Sequence, residues 1–226
     1  MYIQSLTDIG RTRQENQDNY WSAVLNVDDT ETGIVCMCDG MGGLSNGGLA
    51  SSILVKSVRE SILDGVDFSE LKSIILQSNK AIYSLSTNNS RMGTTCTILC
   101  CSENKYKIYH VGDSRCYKIS DNYVRLLSND HSVINQYGIT KEKNADLYEK
   151  YKSKLTRCIG VKEDVIIDEY SGEYKEGDIF LLCSDGFWHY YEEVGYCMDL
   201  QNLKCCVNDC MRYGETDNIS VSLLHV

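Results

Sequence analysis

The chain has 226 residues, enough for one domain with a sizeable core, and no apolar run approaches the ~18–20 residues of a membrane span. Its 22 basic and 32 acidic residues leave a net charge of −10, which argues against nucleic acid or anionic lipid as a partner. The opening Met1-Tyr2-Ile3-Gln4-Ser5 has no basic segment leading into an apolar core, so a cytoplasmic protein is expected.

Residues 2–7 read as a first strand. A polar loop follows, Gly10-Arg11-Thr12-Arg13-Gln14-Glu15-Asn16-Gln17-Asp18, and then a second strand over Tyr20 to Val27. Asp28 to Gly33 reads as a turn and residues 34–38 as a third strand ending at Asp39. Asn46 to Leu63 has helical spacing, with Leu49, Ile53, Leu54, Ser57 and Ile62 on one side. A second helix is expected after Asp67-Phe68-Ser69-Glu70, which resembles a capping box with Asp67 as the cap. Its apolar stripe is Leu71, Ile74, Ile75, Ile82 and Leu85. Both helices serve most simply as covers for a sheet.

The period then changes. Thr94 to Cys101, Tyr106 to Val111, Arg115 to Ile119 and Tyr123 to Leu127 are short strand-like runs with short connections, which predicts antiparallel hairpins. Residues 133–155 are polar and tyrosine-rich, with Lys141 to Lys154 weakly helical. They read as an excursion from the core, a movable flap, or as an ordinary surface helix. Val165 to Tyr170 and Asp178 to Cys183 return to strand character. Leu200 to Met211 reads as a helix, with Asp199 as N-cap and Gly214 as C-cap, before a last strand over 219–226 running from edge to core. Strands, two helices, many strands, a helix and a strand do not make a βαβ alternation. The order predicts a single α+β domain over 1–226, with antiparallel sheets covered by helices.

Twelve cysteines lack paired C-x-x-C knuckles. They are expected as buried, reduced thiols, with a zinc site as the rival reading.

One device recurs. Val35-Cys36-Met37-Cys38-Asp39-Gly40-Met41-Gly42-Gly43 is an apolar run that ends on an acid followed by glycines. Leu181-Leu182-Cys183-Ser184-Asp185-Gly186 repeats it, and Val111-Gly112-Asp113-Ser114 ends on an acid beside glycine. Asp18 and Asp217 each sit just before an apolar run. One Asp-Gly turn is usually only a turn. Five strand-end carboxylates together predict one acidic pocket. Such a pocket would repel a phosphorylated substrate unless divalent cations reversed its local sign. Hard cations take carboxylates, carbonyls and waters, and Asp39, Asp185 and Asp217 with the Gly40 carbonyl provide them without His or Cys. Two metals about 3.5–4 Å apart would share Asp39 and a bridging water.

Eight motifs then run in order along nearly the whole chain. They are Arg13-x-x-Asn16-x-Asp18, Asp39-Gly40-Met41-Gly42-Gly43, Gly93-Thr94-Thr95, Gly112-Asp113-Ser114-Arg115, Asp130-His131-Ser132, Leu155-Thr156-Arg157-x-x-Gly160, Ser184-Asp185-Gly186 and Asp217-Asn218. In this order they resemble the metal-dependent type-2C protein phosphatases, the PPM family, in their bacterial form. The resemblance implies a four-layer αββα sandwich, two antiparallel β-sheets flanked by helices, with the metal site at one end. It implies hydrolysis of phosphoserine and phosphothreonine in proteins by a hydroxide bridging two Mn²⁺ or Mg²⁺ ions. Asp39, Asp185 and Asp217 would hold the first metal, and Asp39 with the Gly40 carbonyl the second. Asp18 would act through metal-bound water, and Asp113 with Asp185 would hold a third metal. Arg13 would grip the substrate phosphate; its rival role is a solvated loop arginine.

The resemblance further implies phosphorylated proteins as partners, a cognate Ser/Thr kinase and a monomer. Two positions depart from the pattern. Gln17 stands where many members carry Glu, which puts second-metal affinity in doubt. Met41 stands where animal members carry a proposed proton donor, so metal-bound water, or no specific acid, must serve the leaving group; bacterial members commonly share this Met. Gln17 supports the alternative reading, a catalytically impaired phosphoprotein binder. A third reading keeps the chemistry and directs it at an anti-anti-sigma regulator. His131 and Arg115 are expected to be structural.

Overall fold

The computed structural model describes residues 1–41, 46–87, 90–121 and 123–226. Gly42 and Gly43 of the third-strand motif therefore lie outside the described residues.

The first three strands are β1 (Tyr2–Asp8), β2 (Asn19–Val27) and β3 (Thr30–Cys38). β3 starts four residues earlier than expected. Asp28 and Asp29 form the whole turn, with φ of 48° and 61°, and two left-handed residues suit the twist of a two-residue hairpin. Helices α1 (Gly47–Leu63) and α2 (Leu71–Leu85) follow. Asp67 caps a one-turn 3₁₀ segment ahead of α2, its Oδ1 accepting the Ser69 N–H at 2.7 Å. The expected stripes were each wrong at one residue, since Leu49 is 51% exposed and Leu85 56% exposed. The faces that pack are Ala50, Leu54, Val55, Val58 and Ile62 on α1, and Leu71, Ile74, Ile75 and Ile82 on α2.

Next come β4 (Cys96–Ser102), β5 (Lys105–Val111), β6 (Arg115–Ser120) and β7 (Tyr123–Leu126). The 133–155 stretch holds two short helices, α3 (Val133–Tyr137) and α4 (Ala145–Tyr151), with no buried residue in either. Its ends are closed on each other by the Ser132–Leu155 bridge and the Val133 N–H bonded to Lys154 O. β8 (Asp168–Glu173) begins three residues later than expected, and β9 (Ile179–Cys183) follows. A helix absent from the expectation, α5 (Asp185–Glu193), starts at once on Asp185. α6 (Leu203–Tyr213) is capped by Asn202, whose Oδ1 accepts the Cys205 N–H, and not by Asp199, which accepts Gln201 N–H one turn earlier. Gly214 ends it in the left-handed conformation. β10 (Ile219–His225) lies between β1 and β9, so it is an interior strand.

The strands make two antiparallel five-stranded sheets, ordered β1-β10-β9-β6-β7 and β2-β3-β4-β5-β8. Side-chain alternation sorts the layers. On β3, Val35 and Met37 face the first sheet and pack with Leu99, Ile108, Cys116, Phe180, Leu182 and Leu224. Ile34, Cys36 and Cys38 face the other way, onto α1 and α2. On the far side Leu181, Cys183, Val221 and Leu223 meet Phe187, Tyr191, Val207 and Cys210 of α5 and α6. The architecture is thus α/β/β/α in four layers. Each fully buried aliphatic side chain stabilises it by about 1.5–3 kcal/mol relative to exposure. Nine cysteines are buried within it, while Cys197 and Cys205 are exposed. Among the described residues no helix is long and apolar enough to cross a membrane.

Candidate metal centre

Strand register brings the predicted acids to one end of the sandwich. Cys38 pairs with Asn19, so Asp39 leaves β3 beside Asp18 entering β2. Met37 pairs with Thr97 and Cys96 with Val111, so Thr95 and the Gly112–Asp113 turn lie at the same end. In the other sheet Val221 pairs with Cys183, which sets Asp217 and Asp185 side by side. Arg13 reaches the group from the loop between β1 and β2, its Nη2 donating to Asp217 Oδ2 at 2.5 Å.

The backbone of Asp39 is fixed by two threonines. Its N–H donates to Thr95 Oγ1 at 2.8 Å, and its carbonyl accepts Thr95 N–H and Thr94 Oγ1–H, both at 2.8 Å. Gly40 follows in van der Waals contact with the start of α1. A Cβ there would lie 2.5 Å from both Gln17 O and Gly47 C, so no side chain fits. Asn218 plays the matching part in the Arg13 loop. Its Nδ2 donates to Ile9 O at 2.9 Å and Glu15 O at 3.1 Å, and its Oδ1 accepts Gln17 N–H at 2.9 Å. Asn16 Oδ1 accepts the Asp18 N–H at 3.1 Å. The sequence singled out Thr94, Thr95, Asn16 and Asn218 as motif members without a role; as loop ties they were recognisable only by resemblance.

Electrostatics show how closely the acids are gathered. Burial first, then the charges of Asp18, Asp185, Asp113 and Asp217, push the Asp39 carboxyl well above the usual range. Asp18 is raised to about 7, by burial and then by Asp185 and Asp217, with the Ser220 and Ser184 hydroxyls pulling partly the other way. Asp113 is raised to about 8 by burial, Asp185 and Asp130. Asp185 is raised too, chiefly by burial. Among the described residues, both oxygens of Asp18 and Oδ1 of Asp185 are buried and no donor meets them at hydrogen-bond geometry, the Ser220 and Ser184 hydroxyls included. Such atoms are costly in a folded protein and mark a place built for something that supplies positive charge. All five acids predicted for the pocket thus share one site, and hard, oxygen-seeking cations fit its donors. Among the described residues no three His, Cys, Asp or Glu side chains already stand at ligating separations. Asp217 is meanwhile paired with Arg13.

A second network adjoins the acids. His131 Nδ1 accepts the Gly112 N–H at 3.1 Å, so its proton sits on Nε2, which donates to Asp168 at 3.0 Å. Asp168 also binds Arg157 Nη1 at 2.5 Å. Arg115 makes a two-pronged bond to Asp130 at 3.0 and 2.7 Å, pairs with Glu192 at 2.7 Å and stacks 3.5 Å over Trp188. Trp188 Nε1 donates to the Asp113 carbonyl at 2.9 Å.

The family model described as protein phosphatase 2C matches residues 10–212. A serine/threonine phosphatase, stp, of Listeria monocytogenes is 29% identical over 243 residues, covering 99% of this chain and 95% of its own length. A putative protein phosphatase 2C-type of Streptococcus pyogenes is 30% identical over 256 residues, covering 100% of this chain and 97% of its own. The serine/threonine phosphatase Stp1 of Staphylococcus aureus shares the fold with a TM-score of 0.83 at 22% identity, over 99% of this chain and 94% of that one. The S. agalactiae serine/threonine phosphatase aligns with a TM-score of 0.82 at 26% identity, over 100% of each chain.

Proposed function

This chain belongs to the protein phosphatase 2C family, and from that premise we propose that it hydrolyses phosphoserine and phosphothreonine in proteins with Mn²⁺ or Mg²⁺ bound among its strand-end carboxylates. The observation that carries this reading is the gathering of five acids at one end of the sandwich, with buried oxygens of Asp18 and Asp185 unpartnered among the described residues. Asp39, Asp185 and Asp217 would hold the first cation, and Asp39 with the Gly40 carbonyl the second. Asp18 would bind through water, and Asp113 with Asp185 would take a third. Bound cations supply neutralising charge and activate water for in-line attack on phosphorus.

The chain's own groups do the rest. Thr94 and Thr95 hold the Asp39 backbone, and so would position its carboxylate for the cations. Arg13 donates to Asp217 and so stands beside the acids. From there its guanidinium would grip two phosphate oxygens of the substrate. Met41 donates no proton, so the leaving alkoxide takes its proton from water. The reading as an impaired phosphoprotein binder rested on Gln17 alone and has no support from the comparisons. Phosphoproteins made by a Ser/Thr kinase are the substrates this chemistry requires, and a monomer in the cytoplasm suffices for it.

The test is p-nitrophenyl phosphate hydrolysis with Mn²⁺, with Mg²⁺ and with chelator, beside Asp39→Asn. Metal-dependent turnover that falls about 10²–10³-fold or more in the variant is expected. Equal turnover with chelator, or in Asp39→Asn, would overturn the reading.

A further inference from the structure

Asp185 and Asp217 come from different elements, yet a shared cation needs them at a fixed separation. Asp185 opens α5, and Asp217 sits in the link between α6 and β10. Their like charges favour separation. Part of what opposes this is backbone contact. A Cβ on Gly186 would lie 2.2 Å from Asn218 O, and Ser184 and Ser220 exchange two bonds at 3.0 Å. These contacts tie the start of α5 to the strand after Asp217. They do not hold the link before it.

Thr12 Oγ1 donates to the Thr216 carbonyl in that link, but the tie from the link to α5 is made by Glu215. Glu215 Oε1 accepts the Thr216 N–H at 2.7 Å and the Asp217 N–H at 3.0 Å. Its other oxygen, Oε2, meets His189 Nδ1 at 3.1 Å. His189 lies four residues after Asp185 on α5, on the same helical face. Glu215 is a sixth carboxylate near five crowded ones, and its side chain is largely buried. It is satisfied on both oxygens, unlike Asp18. The remaining bonds of Asp217 complete the frame, with Oδ1 accepting the Asn218 N–H at 2.8 Å and Oδ2 paired with Arg13.

We infer that Glu215 and His189 are positioning residues: a strap from α5 to the Asp217 link that sets the spacing of Asp185 and Asp217 for cation binding. The inference rests on the reading of those two aspartates as metal ligands. Outer groups that orient metal ligands typically govern affinity by about 10–100-fold.

The test is calorimetric titration of metal-free protein with Mn²⁺, with the melting temperature of the metal-free protein as a parallel readout. Glu215→Ala should weaken Mn²⁺ binding about tenfold. Glu215→Gln should restore most of it, because its amide oxygen accepts both link N–H groups and its NH₂ faces the imidazole. His189→Ala should weaken binding by less, and adding it to Glu215→Ala should change little, since the two act through one bond. A lower melting temperature with unchanged Mn²⁺ affinity would make the pair merely structural and overturn the inference. If Glu215→Ala does not fold, the half-exposed His189 decides alone, and wild-type affinity in His189→Ala overturns it. Equal Mn²⁺ binding by wild type and Asp39→Asn would instead overturn the metal reading beneath it.

Discussion

Two polar regions sit against each other at the same end of the sandwich and obey opposite rules. In one, burial and the charges of the other four strand-end aspartates push up the Asp39 carboxyl, and among the described residues both Asp18 oxygens and one of Asp185 have no partner. In the other, His131, Asp168, Arg157, Arg115 and Asp130 pair acid with base at hydrogen-bond distance. The same residue type behaves differently in each. Burial pushes Asp168 up, but the bonds from Arg157 and His131 outweigh it and hold the carboxyl at about 2. Asp113, held two residues from Arg115, is driven to about 8. The satisfied network stabilises the fold. The unsatisfied cluster costs stability, and it persists where binding a cation would repay that cost.

The largest expected effects separate the regions by what they break. Asp39→Asn removes the charge at the centre of the cluster. Activity should fall by the factor given above, while the metal-free melting temperature rises, because repulsion is relieved. Arg115→Ala should do the reverse in kind. It leaves Asp130 buried without its partner, a loss of about 3–5 kcal/mol by urea unfolding. Glu192, Tyr117 and Trp188 lose the same guanidinium. If Asp39→Asn destabilised the metal-free protein as much as Arg115→Ala, the two regions would not differ as described.

A smaller effect is expected at the seam. Thr95 Oγ1 accepts the Asp39 N–H and stands 2.7 Å from Ser114 Oγ, beside the Gly112–Asp113 turn. Thr95→Val keeps the shape and orphans a backbone N–H, at about 1–3 kcal/mol. Mn²⁺ affinity should fall with it, because Asp39 loses its anchor. A variant stable to urea as wild type would show that the N–H finds water instead.

Much of this was legible in the sequence. Apolar period two and the Asp-Gly stops were enough to place Asp39 and Asp185 at strand ends, and the register then had to gather them. The α+β class followed from element order, the pairing of two antiparallel sheets was implied only by resemblance, and the five strands of each came from the structure. What escaped depends on tertiary partners. Leu49 and Leu85 look like stripe residues, but the stripe's width is decided by which sheet it meets. Asp199 and Asn202 are equally good caps on paper; the helix starts where Leu203 can reach the core. The α5 helix was hidden because its aromatic-rich run Phe187-Trp188-His189-Tyr190-Tyr191 gives no clear period. With it went His189, and so the link to Glu215. The pairing of Arg13 with Asp217 left no trace in the sequence either, since the two lie 204 residues apart.

The pH dependence gives the smallest effect and sets the two regions against each other in one curve. Asp18 and Asp113, near 7 and 8 in the fold, are near 4 when unfolded. Between those values the native state binds more protons than the unfolded one, so stability falls as pH rises. His189 acts in the same direction, since Glu215 and Asp185 outweigh the burial that would lower it. His110, whose ring centroid lies 4.8 Å from that of His131 in the paired network, acts oppositely. Burial holds it at about 3, against about 6.5 unfolded, so its contribution grows with pH and is complete above that value. Between pH 6.5 and 8 the acids and His189 are therefore left to set the slope, and the melting temperature of the metal-free protein should decline. Asp113→Asn should flatten the decline. Saturating Mn²⁺ should reverse it, because the ligands bind metal only without their protons. A flat profile in wild-type, metal-free protein would mean that the acids are not crowded in solution as they are in this fold, and the contrast between the regions would fail at its source.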